Sequence, residues 1–173
     1  MSVSKQDYAD AKQYQDHLME QYKLYVEMAD RISQRRMTTN TFFMSVNAFL
    51  VTLVTLFSDG NLLALIAVSL TGVIFSFAWY FLLENYKKLN SGKFKVVHDM
   101  EALLPYAPYD VEWDKLGRGK DKNLYWPLSH LERALPAVFG VLYVCFMAWL
   151  IYCLMTGTAI SFPDAQIPEI DIA

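Results

Sequence analysis

Two short stretches hold the residue types that do chemistry. In VVHDMEALLP (residues 96–105), His98 and Glu101 stand three apart. On a helix that spacing puts an imidazole and a carboxylate on one face, as a metal-ligand pair or an acid–base couple. A metal site needs at least one more convergent ligand, so no metal is expected and His98 is read as a satisfied helical histidine. The second stretch, LYWPLSHLERALP (residues 124–136), gathers His130, Glu132 and Arg133 beside Tyr125 and Trp126. His17 stands alone among polar residues. The GRGK at 117–120 lacks the G-x-x-x-x-G-K-[ST] spacing of a phosphate loop, and no preceding strand is expected. There is no G-x-S-x-G elbow, no H-E-x-x-H and no cysteine–histidine pairing. Catalysis has no visible carrier, so the expectation is a protein that is not an enzyme and needs no cofactor.

The elements that would position these residues are dominated by hydrocarbon. Of 173 residues, 54% are hydrophobic, and the excess is clumped. TFFMSVNAFLVTLVTLF (41–57), LLALIAVSLTGVIFSFAWYFLL (62–83) and ALPAVFGVLYVCFMAWLIYCLM (134–155) each approach the roughly 20 residues a helix needs to cross a bilayer. None carries an internal charge, and the second and third show no polar face. The fold class expected is an all-α integral membrane protein with three transmembrane helices. An N-terminal amphipathic helix and a helical loop would lie outside the bilayer. SDGN (58–61) makes a tight hairpin between the first two spans. Cys145 and Cys153 lie in one apolar run and imply no disulfide framework. A net charge of −3 gives no field for nucleic acid. The polar first twenty residues show no secretory h-region.

Charge sets the orientation. Of the 15 Lys and Arg residues, six precede the first span and nine lie between the second and third. The turn and the acidic tail hold none. By the positive-inside rule the N-terminus and the long loop are cytoplasmic, and the tail is periplasmic. The expected parts are a cytoplasmic amphipathic helix (1–40), a transmembrane hairpin (41–83), a cytoplasmic helical and irregular segment (84–133), a third span (134–155) and a periplasmic acidic tail (156–173).

No Asp, Glu, Lys, Arg or His sits mid-membrane, which argues against a proton or ion relay. Gly72 and Ser76 have the small-xxx-small spacing that lets helices approach closely, either within the hairpin or between subunits. Thr52 and Thr55, with Asn47, would line a pore if the chain formed a channel, although threonines at this depth usually bond to their own helix. Outside the membrane, Leu18, Tyr22, Tyr25, Ala29 and Ile32 recur at a–d spacing. The stripe suits a homo-oligomer interface, or packing on the chain's own loop. Arg31, Arg35 and Arg36 close that helix beside the bilayer, as topology determinants and anchors for anionic lipid. A helix is expected to continue past the second span, bent at Ser91–Gly92 and ended by Pro105 and Pro108, and YAPYDVEWDKLGRGKDKN is read as irregular.

This places LYWPLSHLERALP where the chain meets the membrane. Tyr125 and Trp126 fit an interfacial aromatic belt. Ser129 and Glu132 match an S-x-x-E capping box, Arg133 snorkels to headgroups, and Pro136 should kink the helix. His130 beside Glu132 is the one candidate for a pH-sensitive contact.

LYVEMADRISQRRMTTNTFF, NYKKLNSGKFKVVHDMEALLPYAPYDVEWDKLGRG and YWPLSHLERALPAVF, about 70 residues in all, resemble the RipA-like octameric bacterial membrane proteins. The resemblance implies a small inner-membrane homo-octamer in contact with membrane lipids, without an assigned enzyme activity and without ligand residues to transfer. The function expected is a non-enzymatic oligomer with a cytoplasmic helical collar. The alternative is an oligomeric channel or membrane-permeabilising effector.

Overall fold

The computed structural model describes residues 8, 10–57, 61–120 and 129–158, and for Ser129 and His130 the backbone alone. Four α-helices occur among the described residues: α1 (Ala11–Leu56), α2 (Leu62–Glu101), α3 (Pro108–Lys115) and α4 (Ser129–Thr156). Three helices are long and apolar enough to cross a membrane. The protein is an all-α membrane protein.

α1 has 46 residues, about 69 Å at 1.5 Å per residue, whereas a bilayer core is about 30 Å thick. The amphipathic helix and the first span are therefore one unbroken rod, and residue 40 marks a change of surroundings only. Asp10 starts it by accepting from the backbone N–H of Lys12 at 3.0 Å. Asn61 starts α2 in the same way, accepting from Ala64 N–H at 3.0 Å. α2 runs 40 residues without interruption, so Ser91–Gly92 does not break it. It stops at Glu101 because Pro105 lacks an amide and disfavours helical geometry just before it.

The buried residues of α1 outline one heptad line, from Leu18, Ala29 and Ile32 through Phe43 to Leu50. From α2, Trp79 and Leu83 pack against Phe43 and Val68 packs against Leu50, while Leu65, Gly72, Ser76 and Val97 are also buried. The two helices run antiparallel: Tyr22 meets Glu101, Thr39 meets Tyr86, and Asn40 meets Trp79. Both α1 and α4 pack on α2, the central helix. α4 is helical through Pro136, which is fully buried; its missing amide leaves the carbonyl of Glu132 without an intrahelical donor.

The segment read as irregular is in fact organised. Pro108 opens α3 at its first turn, a position where the absent amide costs nothing. Gly117, Arg118 and Gly119 follow with φ of 65°, 51° and 69°. Gly119 brings this left-handed turn against Trp113, whose ring lies 3.2 Å from where a Cβ would stand.

Candidate functional site

Three polar assemblies hold the hairpin, and the first is built on Glu101. Its side chain is 1% exposed. Oε1 accepts from the Tyr22 hydroxyl at 2.9 Å and from the backbone N–H of Tyr109 at 3.0 Å, and Oε2 accepts from Asp110 N–H at 3.2 Å. Those two amides belong to the first turn of α3, whose own N-cap, Ala107, offers no side-chain acceptor. The last residue of α2 thus caps α3, a negative charge at the positive end of a helix dipole. It also ties both to α1 through Tyr22. Burial, then the hydrogen bond to Glu101 and its charge, push the Tyr22 pKa well above its ordinary value. Burial and the charges of Asp30, Glu112 and Glu101 raise that of Tyr109.

His98 and Glu101 do share a face, with His98 Nδ1 3.5 Å from Oε2 and 4.0 Å from Asp110 Oδ1. The histidine makes no hydrogen bond through Nδ1, and the carboxylate is already used as a cap. Arg118 pairs with Asp114, and its Nη2 lies 3.4 Å from Asp110. The GRGK basic residue is thereby folded back on α3, and its guanidinium is held further above its ordinary pKa by Asp114.

Beside this cap, between α1 and α3, runs a groove of about 500 Å³. Tyr22, Val26, Pro108 and Tyr109 give it an apolar floor, and Glu27, Asp30 and Glu112 with Lys23 line it with charge.

The second assembly lies at the ends of the three apolar spans. Adjacent residues of α4 reach different helices: Glu132 Oε2 lies 3.4 Å from Arg36 Nε of α1, and Arg133 Nη1 lies 3.3 Å from Glu84 Oε2 of α2. About a quarter of each side chain is exposed. Glu132, expected to close a capping box with Ser129, faces Arg36, and the box itself rests on a Ser129 side chain outside the described residues. Arg133, expected to snorkel to headgroups, also faces a carboxylate. The side chains of Ser129 and His130, and Tyr125 and Trp126 entirely, lie outside the described residues. Arg35 is exposed.

The third assembly lies inside the apolar spans. Trp79 is fully buried, stacks on Phe43 with ring centroids 5.6 Å apart, and donates from Nε1 to Asn40 Oδ1 at 2.9 Å. A Cβ on Gly72 would fall 2.6 Å from the Tyr143 ring, and one on Gly140 would fall 3.5 Å from Ser76 Cβ. Gly72 and Ser76 therefore serve close packing of α4 on α2 within one chain, which is neither the first span nor a neighbouring subunit. Asn47 donates to Phe43 O, Thr52 to Ala48 O and Thr55 to Thr52 O. The candidate pore residues bond to their own helix.

The stripe offered as an oligomer interface is likewise occupied. Leu18, Ala29 and Ile32 are buried, Tyr22 bonds to Glu101, and Tyr25 lies under Lys93 Nζ at 5.2 Å. Its partner is the chain's own α2. Sequence reasoning missed Asn40, Glu84 and Glu101 as contact-makers. Only the isolated polarity of Asn40 and Glu84 at the ends of apolar runs signalled the first two.

Residues 19–152 match the model of the octameric membrane protein family (8xMP). The chain belongs to that family. The matched range takes in most of α1, all of α2 and α3, and nearly all of α4. No curated protein and no solved structure matches the chain.

Proposed function

We propose that this 8xMP chain is a non-enzymatic subunit of a homo-octamer in a bacterial inner membrane, with the N-terminus cytoplasmic and the C-terminus periplasmic. The extramembrane halves of α1 and α2 stand together as a collar at the cytoplasmic face. The observation that carries this reading is the continuity of the hairpin. Helices of 46 and 40 residues extend well past the bilayer as one packed pair, and the buried carboxylate of Glu101 ties α1, α2 and α3 together. Such a rod presents fixed surfaces to neighbours and leaves no converging nucleophile, acid and base. The orientation follows from the one-sided distribution of Lys and Arg. The self-bonded Asn47, Thr52 and Thr55 weigh against a polar conducting path. Native mass measurement of the protein in lipid nanodiscs should give eight copies, and planar-bilayer recording should give no conductance. A monodisperse monomer overturns the assembly, and reproducible conductance overturns the non-channel reading.

A further inference from the structure

Among the described residues, the collar has a flank that nothing covers. Gly92 lies in the interior of α2, where glycine weakens a helix, and no described atom stands within 4 Å of a Cβ built there. No close approach among the described residues explains it. On the same flank, one heptad step apart, Leu89 and Val96 are exposed by 52% and 37% although they lie beyond the apolar span. Lys88 and Lys95 border them, both exposed, and Asp99 lies one turn further along. α3 sits on another side of α2, since Tyr109 meets Phe94 with ring centroids 5.5 Å apart. Two residues along a helix are about 200° around it, so Phe94 and Gly92 face opposite ways. Hence one side of the rod carries the acidic groove between α1 and α3, and the other carries a basic, apolar flank with a glycine at its centre.

We propose that the Leu89–Gly92–Val96 flank of one copy docks into the groove between α1 and α3 of the next, with Lys88 and Lys95 facing Asp30 and Glu112. Charge complementarity supports it: the flank carries Lys88 and Lys95, and the groove has Asp30 and Glu112 against Lys23, with Glu27 paired to Arg31 at 2.7 Å. Height supports it independently. Copies in one membrane sit at one depth, so two surfaces that meet must lie at the same level. Tyr22 meets Glu101 and Tyr25 lies beneath Lys93, which sets residues 89–96 of α2 level with the part of the groove formed by residues 25–30 of α1. A contact between two different surfaces on opposite sides of a subunit is heterologous, and it closes a ring when the rotation per copy is right. Gly92 lets the helix seat closely against Val26 and Tyr109.

The proposal rests on the octameric reading above, and the test separates the two. In nanodiscs, Gly92→Leu should cut the octamer by about tenfold or more with unchanged helical circular dichroism, because the space beside Gly92 is empty among the described residues. Lys88→Glu with Lys95→Glu should also dissociate the ring. Adding Asp30→Lys and Glu112→Lys to the same chain should restore it, a rescue that misfolding would not give. Wild-type protein that is not octameric refutes the assembly itself. An octameric wild type whose mass is unchanged by Gly92→Leu and by the lysine reversals refutes this interface alone.

Discussion

Inside the membrane, α1 and α2 meet through Trp79 stacked on Phe43, with α4 wedging Tyr143 against Gly72. Outside it, the same helices meet through Tyr22 on Glu101 and Lys93 over Tyr25. The difference follows from the solvent. Lipid gives apolar surface no reward for leaving it, so association there depends on close contact and shape. Water rewards burial of Leu18, Ile32 and Val97 at about 25 cal/mol per Å², but that drive is non-directional. A buried carboxylate with three donors supplies the direction. At the ends of the apolar spans, Arg36, Glu84, Glu132 and Arg133 pair across three helices.

The largest break in this comparison should come from Glu101→Leu. It strands the Tyr22 hydroxyl and two α3 amides, each costing about 1–3 kcal/mol when buried and unpaired. Limited proteolysis should then cut near α3 while the spans stay protected. Gly72→Ala should cost about 1–3 kcal/mol through overpacking against the Tyr143 ring, seen as a lower thermal midpoint in detergent with the α3 region still resistant. Arg133→Ala should cost about 1 kcal/mol, more if Glu84 is left unpaired beside hydrocarbon, and increasing salt should shrink the difference from wild type. Tyr22→Phe should cost about 1 kcal/mol and also change the alkaline limb. The folded Tyr22 pKa is raised, so its contribution is whole below the unfolded value of about 10 and is lost as pH rises through the folded one. Wild type should lose extramembrane stability in that window more steeply than Tyr22→Phe. Tyr143→Phe should change stability least, because the buried hydroxyl has no partner.

The apolar spans were legible because length and hydropathy alone decide them: the first span, read to residue 57, ends in a helix that stops at Leu56. The stripe from Leu18 to Ile32 was legible as a buried face, but not what buries it. Periodicity reports burial, and the facing surface of α2 was masked by Lys93, His98 and Glu101 among its apolar residues. Pro108 was read as a stop when it is a start, since a proline fits both the end of one helix and the first turn of the next. The cap from Glu101 to α3 had no sequence signal, because it joins a carboxylate to amides eight and nine residues away across a turn. Gly72 and Ser76 were legible as a close-packing pair, and α4 as their partner was not.

Hydrogen–deuterium exchange on the protein in nanodiscs tests the central claim, that the hairpin is one rod held outside the membrane by Glu101. Amides of residues 18–36 and 84–101 should exchange slowly in the wild type. In Glu101→Leu both segments, with α3, should exchange faster together while the membrane spans remain slow. Rapid exchange across 84–101 in the wild type, or exchange indifferent to Glu101→Leu, would contradict the account.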